Sequence, residues 1–248
     1  RAVELLSAPS VKGGKYTVVL DPMLAGVFAH EAFGHLSESD FVYENDQMKE
    51  LMVLGRVFGP EILNIIDDGS IPGQQGTHKY DDEGVKTRKN YLIKAGVLTG
   101  RLHSRETAAI MGEKPTGNAR ALSYEYEPIV RMTNTYIDKS NTSFEDMIGD
   151  IKLGVYALDS MGGQTMMEMF TFSAGYAYMI RDGKIAELVR DVSLTGNVFE
   201  TLKNIAMIGD KIEWSQTGGG CGKGGQSPLP VGIGSPHVRI ENVVVGGR

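Results

Sequence analysis

The hexapeptide HEAFGH, residues 30–35, carries the residue types of a metal-dependent hydrolase. In zincin enzymes two histidines stand four residues apart on a helix, and the glutamate beside the first histidine acts as a base. Here the histidines stand five residues apart, which on a regular α-helix turns their side chains about 140° away from each other. Both rings can bind one zinc ion only if the helix is distorted. The spacing therefore predicts an irregular helix over residues 30–35.

Two distortions would bring the two rings together. A π-type turn makes residues i and i+5 neighbours, and a helix that ends at Gly34 lets His35 return from the first loop residue. Glu31 can then point at a water on the metal without being a ligand itself. Zinc acidifies such a water, and a carboxylate removes its proton as it attacks a carbonyl. The motif predicts His30 and His35 as metal ligands and Glu31 as the catalytic base.

A catalytic zinc site usually has three protein ligands and one open position, so a third ligand is needed. The candidates are His78, His103, His237, Cys221 and the many carboxylates. Cys221 is the strongest candidate because a thiolate is a soft ligand suited to zinc, and its glycine neighbours let the backbone approach a metal. His78 and His103 are expected to be surface or hydrogen-bonded residues. For His237, core packing is favoured over stabilisation of an oxyanion.

Other candidate residues have simpler interpretations. An acidic loop tip is preferred over a second cation site for Asp81, Asp82 and Glu83. Core or groove packing is preferred over copper binding for Met166, Met167 and Met169. The hexapeptide alone also suits a chance arrangement on a surface helix, and a lone cysteine suits a small buried hydrophobe. The metal site therefore needs support from the rest of the chain.

The elements that must position these residues are mostly short strands. Asp21-Pro22 predicts the start of the helix that carries the motif, because Asp is a good N-cap and Pro is favoured at the first helical position. The Asp182-Gly183 pair predicts a hairpin turn, and the glycine-rich residues 217–225 predict an irregular loop around the only cysteine. Strands are predicted at 16–20, 61–68, 91–102, 129–137, 155–158, 176–192 and 238–245. Helices are predicted at 105–111, after Ser143 and at 199–208.

This order of elements predicts an α+β fold, an antiparallel, β-rich domain with a few helices and the metal motif on an irregular helix. The 248 residues suffice for one catalytic domain spanning residues 1–248. The N-terminal residue is arginine and the first segment resembles the tail of a helix, so we expect a fragment of a longer protein.

Composition limits the partners and the location. The formal net charge is −6 without a basic cluster, which argues against nucleic acid as a direct ligand. No apolar run approaches the roughly 18 residues of a membrane span, so no membrane contact is expected. One cysteine allows no intrachain disulfide, and no signal peptide opens the chain. Together these features predict a cytoplasmic protein.

Several motifs in a fixed order resemble the TldD/PmbA family, once described as modulators of DNA gyrase. The likeness runs from about Val18 to the C-terminus. The matching segments are HEAFGHLSESD (30–40), YDDEG (80–84), LHSRETA (102–108), PTGNAR (115–120), RMTNTY (131–136), LKNIAMIGD (202–210), CGKGGQSPLPVG (221–232) and SPHVRIENVVVGG (235–247). The resemblance implies a metallopeptidase in which His30, His35 and Cys221 hold zinc and Glu31 is the catalytic base.

The resemblance also implies a partner and a missing part. The family pairs an active subunit with one that lacks the motif. This chain has the motif and is similar to the active type, so the resemblance implies a TldE/PmbA-like partner or a homodimer. Family members have a separate N-terminal domain, which supports the fragment interpretation. Residues 162–175 lack the Pro and Gly-Asp expected there. That departure puts the wall of the substrate groove in doubt, and leaves the metal site unaffected.

The function expected from these observations is a zinc-dependent peptidase that hydrolyses unfolded or small peptides, with the substrate extended along a strand edge. The alternative is a non-catalytic metal- or peptide-binding regulatory protein of the gyrase-modulator type. A structural zinc site has four protein ligands, whereas the sequence offers three good ones, which favours catalysis. A third hypothesis is that this chain binds metal but cleaves only when an N-terminal domain and a partner complete the groove.

Overall fold

The computed structural model describes residues 2–166, 168–215 and 219–246. In chain order the strands are β1 (Gly14–Leu20), β2 (Ile65–Asp68), β3 (Lys89–Lys94), β4 (Val97–Leu98), β5 (Ala119–Arg120), β6 (Ile129–Val130), β7 (Asn134–Ile137), β8 (Leu153–Met166), β9 (Met169–Arg181), β10 (Lys184–Val189), β11 (Ser193–Asn197), β12 (Ile205–Ile208), β13 (Glu213–Trp214), β14 (Gly219–Lys223), β15 (Gln226–Ser235) and β16 (Val238–Gly246). The α-helices are α1 (Ala2–Ser7), α2 (Pro22–Phe28), α3 (Ser39–Glu44), α4 (Asp46–Leu51), α5 (Arg105–Met111), α6 (Phe144–Ile148) and α7 (Val198–Lys203). The predicted α+β class is confirmed.

The strands form two large sheets and one small one. The first sheet has the order β1-β8-β9-β11-β16-β12, and an additional pairing of β16 with β1 closes it into a barrel. The second sheet has the order β13-β15-β7-β2-β3-β4, with β14 paired to β15, and β5 pairs with β6 separately. Pairing is antiparallel except between β1 and β8 and between β7 and β15. The predicted antiparallel character therefore holds for most of the fold.

Helix α2 lies between the barrel and the second sheet. On one side the Phe28 ring contacts the rings of Phe170 and Phe172 in β9, with centroids 5.4 Å and 6.1 Å away. On the other side Gly26 lies so close to β15 that a Cβ atom there would be 2.7 Å from Ile233 Cγ2. The two sheets thus fix the helix from both sides, and the helix delivers the HEAFGH segment to the space between them.

The start of α2 is the one that the sequence predicts. The Asp21 side chain accepts a hydrogen bond from the backbone N–H of Leu24 at 2.8 Å, and Pro22 occupies the first helical position. The helix then changes type, with a π-helix over Ala29–Gly34 and a 3₁₀ turn over His35–Ser37. The predicted irregular helix at residues 30–35 is confirmed.

The predicted hairpin turn at Asp182-Gly183 is confirmed by backbone geometry, and the turn between β3 and β4 has the same form. Asp182 and Gly183 have φ of 47° and 74°, and Ala95 and Gly96 have φ of 49° and 76°. Positive φ at both central residues is the geometry of the type I′ turn, whose twist matches that of the flanking strands.

The predicted helix at 199–208 is too long. Helix α7 ends at Lys203, and Ile205–Ile208 is strand β12 on the edge of the barrel sheet. In β12 the terminal isoleucines are buried and Ala206 is exposed, so these apolar residues pack onto β16 and not along a helical face. Pairing across the sheet sets the conformation of these residues. The spacing of apolar residues along the chain does not indicate such pairing.

The predicted loop at 217–225 is also wrong for the part that the structure describes. Gly219–Lys223 is strand β14, which pairs antiparallel with β15. Gly224 and Gly225 both have positive φ, at 57° and 77°, so they form a two-residue turn between the strands. The glycines thus make a tight hairpin, and Cys221 lies on a strand. Residues 217 and 218 fall outside the described residues.

Two predicted strands are shorter than expected. Residues 61–68 form a strand only at Ile65–Asp68. Residues 129–137 divide into β6 and β7, which belong to different sheets. Among the described residues, no helix has the length and apolarity that a membrane crossing requires.

Candidate metal centre

Three side chains from distant parts of the chain converge between the two sheets. His30 lies on the π-helix, His35 opens the 3₁₀ turn that follows it, and Cys221 lies on β14. Their nitrogen and sulfur ligand atoms all lie within 4.8 Å of one another. The two imidazole centroids are 5.2 Å apart, and Cys221 Sγ is 3.5 Å from His35 Nε2. Two imidazoles and one thiolate are a donor set suited to zinc.

The π-helix is what brings the two histidines together. The backbone N–H of His35 donates to the carbonyl of His30, which is an i to i−5 bond. Five residues then make about one turn, so the two side chains share a face. Gly34 permits this arrangement because a Cβ atom there would be only 2.1 Å from Met132 Sδ, and Met132 is fully buried.

Strand pairing and a buried arginine hold Cys221 in place. Cys221 pairs with Leu229 across the β14–β15 hairpin, just before an irregularity in the register. Arg131 Nη2 donates to the Cys221 carbonyl at 2.7 Å, and its Nη1 donates to the Gln226 carbonyl at 3.2 Å. Arg131 is completely buried. One guanidinium thus binds both strands of the hairpin and fixes the thiol against the histidines.

The His30 ring is in the state that binds metal. Burial holds the pKa of His30 well below its usual value, and the positive charges of His35 and Arg131 lower it further. Its Nδ1 is buried and has no hydrogen-bond partner within the described part of the chain. A neutral imidazole with a buried, unpaired nitrogen fits a metal ligand.

The surroundings of His35 attract positive charge. Burial lowers the pKa of His35, but the Glu38 carboxylate and the hydrogen bond with Cys221 outweigh it and raise the pKa to about 10. His35 Nδ1 lies 3.0 Å from Glu38 Oε2, so Nε2 is the nitrogen that faces Cys221. A bound cation would meet the same negative potential, and the three donors therefore fit a divalent metal.

Glu31 lies beside the ligand atoms and faces solvent. Its Oε2 is 3.9 Å from His35 Nε2. Burial raises the pKa of Glu31, the charge of His35 opposes this, and Glu38 adds to it. Glu31 also lines an open cleft of about 490 Å³, whose other walls include Phe41, Met48 and residues 163–165 of β8. The carboxylate can therefore reach both the metal centre and a ligand in the cleft.

The other histidines lie outside this cluster, as the sequence analysis expects. His78 contacts the carbonyls of Gly76 and Gly117 through its two ring nitrogens. His103 is bonded to Thr107 and Glu113. His237 Nε2 lies 3.0 Å from the hydroxyl of Tyr156, and burial lowers the pKa of His237.

The acidic and methionine-rich segments hold no metal cluster within the described ranges. Asp81 accepts the backbone N–H groups of Glu83, Val85 and Ala119, so it fixes a loop. Asp82 and Glu83 likewise accept the backbone N–H groups of Ala121 and Arg105. The methionines 166 and 169 are 73% and 52% exposed at the end of the β8–β9 hairpin, so they do not fill the core. Residue 167 lies outside the described residues.

Three residues next to the centre were not predicted from the sequence. They are Glu38, Arg131 and Lys223. The spacing of Glu38, three residues after His35, was a usable signal because such pairs meet within one helical turn. Arg131 and Lys223 carried no such signal, since their partners are about 90 residues or more away in sequence.

Comparison with known proteins agrees with the resemblance. Residues 13–247 match the family model of the PmbA/TldA metallopeptidase C-terminal domain. "Metalloprotease slr0863" of Synechocystis sp. is 57% identical over 247 residues, which cover 100% of this chain and 53% of that protein. "Zinc metalloprotease TldD homolog" of Saccharolobus solfataricus is 35% identical over 249 residues, covering 100% of this chain and 55% of that protein. The chain spans about half the length of the curated relatives it matches.

Solved structures show the same fold. TldE from Thermococcus kodakarensis superposes with a TM-score of 0.76 at 22% identity, over 99% of this chain and 53% of that one. A protein described as a modulator of a DNA gyrase, from Thermotoga maritima, gives a TM-score of 0.77 at 22% identity with the same coverage. From the family model and the relatives named above, the chain belongs to the PmbA/TldD family and matches its metallopeptidase C-terminal domain.

Proposed function

We propose that this chain carries the catalytic centre of a zinc-dependent peptidase. In this proposal His30, His35 and Cys221 hold the metal, and Glu31 is the base. The observation that carries it is the approach of three ligand atoms to within 4.8 Å of one another, beside a carboxylate that lines an open cleft. The relatives' names, metalloprotease and in one case zinc metalloprotease, support it.

The residues of the chain divide the chemical work. When bound, a zinc ion supplies Lewis acidity, which polarises a peptide carbonyl and makes water more acidic. Glu31 accepts the proton of the attacking water and returns it to the leaving amine, and a pKa raised by burial suits both transfers. His30 stays neutral in its buried place. Three protein ligands leave a fourth position free for the reaction.

The proposed substrate is an unfolded or small peptide lying along β8. Strand β8 pairs with β1 only over residues 154–157, and from Ser160 to Met166 its described pairings are with β9 alone. The other edge of this outer part is available, and residues 163–165 line the same cleft as Glu31. A peptide added there is held through its backbone, which requires little sequence preference.

The partner and the location are part of the proposal. A TldE/PmbA-like subunit or a second copy is the proposed partner, and the shared fold with TldE supports the first of these. The cytoplasmic location stays a prediction from the use of a single cysteine.

The proposal is tested by zinc analysis together with cleavage of an unfolded peptide. We expect a chelator to abolish cleavage and added zinc to restore it. We expect Glu31→Gln to keep the zinc and to lower the rate by about 10²–10⁴-fold, the usual contribution of a general base. Glu113→Gln, which alters a carboxylate outside the cleft, is the control and retains both zinc and cleavage.

Assays are run on this chain alone and with its partner subunit. Cleavage that survives both the chelator and Glu31→Gln would refute the peptidase mechanism. Zinc binding without cleavage in either form would favour the alternative, a non-catalytic metal- or peptide-binding regulatory protein.

A further inference from the structure

We propose that Glu38 is a positioning residue for the metal centre. Its carboxylate orients the His35 ring and connects this ring to the strand that carries Cys221. The inference rests on the proposed function, because it assigns a role toward the same metal. Glu38 is not a ligand candidate, since its carboxylate lies behind the His35 ring and not among the three converging ligand atoms.

Local geometry directs the Glu38 carboxylate onto the ring. Glu38 follows the 3₁₀ turn that begins at His35, and its backbone N–H donates to the His35 carbonyl at 3.2 Å. Its extended backbone, with φ of −73° and ψ of 116°, ends the turn there. The neighbouring Ser39 N–H donates to the Leu102 carbonyl at 3.1 Å, which anchors the segment. This anchored backbone places the Glu38 side chain beside the His35 ring.

The hydrogen bond fixes which nitrogen of His35 faces the ligand cluster. With Glu38 Oε2 3.0 Å from Nδ1, Nδ1 is the nitrogen that donates, because an ionised carboxylate only accepts. Nε2, which lies 3.5 Å from Cys221 Sγ, is therefore the nitrogen that a bound metal would take in place of a proton. A carboxylate behind a ligating histidine raises the basicity of the ring and fixes its orientation.

Lys223 connects this carboxylate to the other half of the centre. Lys223 follows Cys221 by two residues, and its Nζ lies 3.1 Å from Glu38 Oε2. The same Nζ donates to both Asp40 oxygens at 2.7 Å and to the Val130 carbonyl at 2.8 Å. One carboxylate oxygen thus contacts a side chain from the histidine segment and a side chain from the cysteine strand.

The burial of Glu38 supports a role of its carboxylate at the metal centre. Glu38 has no exposed surface, and its Oε1 has no hydrogen-bond partner within the described residues. An unsatisfied buried carboxylate oxygen costs stability. Asp40 already accepts from Lys223 with both of its oxygens. What Glu38 adds, and Asp40 does not, is the contact with His35.

The test compares Glu38→Gln and Glu38→Ala with Glu113→Gln. Glu113 also contacts a histidine, since its Oε2 lies 3.2 Å from Nε2 of His103. His103 is outside the ligand cluster. Zinc affinity is measured by competition with a chelator, and cobalt-substituted protein is measured by visible absorption. The two Glu38 variants are expected to bind zinc about 10–100-fold more weakly, with alanine the weaker of the two.

The cobalt spectrum separates positioning from simple support of the fold. Both Glu38 variants are expected to shift the visible bands, because the ring changes its angle to the metal, whereas Glu113→Gln leaves the spectrum unchanged. For peptide cleavage, kcat falls and KM does not change, since Glu38 is buried and has no contact with the cleft. If Glu38→Ala does not fold, Glu38→Gln, which has the same shape, decides.

The outcomes distinguish this inference from the proposed function. Wild-type protein that binds no zinc would overturn both. Wild-type protein that binds zinc, with Glu38→Gln unchanged in affinity and in cobalt spectrum, would overturn the positioning role and leave the proposed function standing.

Discussion

At the scale of single residues, the centre depends on which side chains the π-helix allows to meet. A regular helix would separate His30 and His35, and the π-turn places their rings 5.2 Å apart. Gly34 is the residue that makes room, because Met132 occupies the space that any side chain there would need. Its φ of −56° is open to every residue, so the requirement is one of space and not of backbone strain.

Gly34→Ala is therefore expected to lower the free energy of unfolding by about 1–3 kcal/mol, as overpacking of a core does. The cost arises because the new methyl group and Met132 Sδ compete for one place. Urea unfolding measures it. In a Met132→Ala background the same change should cost less, because the two positions are coupled. An equal cost in both backgrounds would show that Met132 is not the obstacle.

The candidate site residues could be chosen from the sequence, whereas the residues that support them could not. Residue types and spacing singled out His30, His35, Glu31 and Cys221 as candidates, because metal chemistry limits which side chains serve, and the structure places them close together. Glu38 was missed although its three-residue spacing from His35 was a signal. A buried carboxylate shows its role only when its surroundings are known.

At the scale of elements, the β14–β15 hairpin and the segment after the π-helix close on each other through Lys223. The strand is short and ends in a two-glycine turn, so its own pairing fixes it only in part. The ammonium of Lys223 is almost buried and contacts both Glu38 and Asp40. We infer that this ion cluster, together with Arg131, holds the strand of Cys221 against the histidines.

Lys223→Met keeps the apolar stem and removes the charge, which leaves the buried Glu38 and the partly buried Asp40 without this cation. We expect the free energy of unfolding to fall by about 3–5 kcal/mol, the usual effect of removing one member of a buried ion cluster. Chemical unfolding measures the change. Lys49→Met, which breaks an exposed pair with Asp46, is the control and should change stability little. A loss no larger than that of the control would contradict the cluster's role.

Elements were predicted well where local signals decide them. The cap at Asp21 and the turn at Asp182-Gly183 follow from neighbouring residues alone, and the irregular helix follows from the five-residue spacing of two candidate ligands. The strand at residues 205–208 and the hairpin around Cys221 do not, since both depend on partners from the end of the chain, β16 and β15. The glycines around Cys221 predicted an irregular loop, whereas Gly224 and Gly225 form a tight turn.

At the scale of the whole molecule, the two sheets and the helix between them bring together residues that are 186 positions apart in sequence. The barrel closes only when the last strand, β16, pairs with the first, β1. Such long-range closure was outside the reach of the sequence analysis, which predicted the class of the fold and not the order of its strands. The convergence of the three ligand candidates was predicted from chemistry, and in the fold the segment after α2 and strand β14 of the second sheet bring them together.

The most direct test of the metal centre is X-ray absorption at the zinc edge of the zinc-loaded protein. Ligation by His30, His35 and Cys221 predicts nitrogen scatterers at about 2.0–2.1 Å and one sulfur at about 2.3 Å. In Cys221→Ser the sulfur contribution disappears while the histidine contribution remains. A wild-type spectrum with no sulfur in the first shell, or one that Cys221→Ser leaves unchanged, would contradict the centre described above.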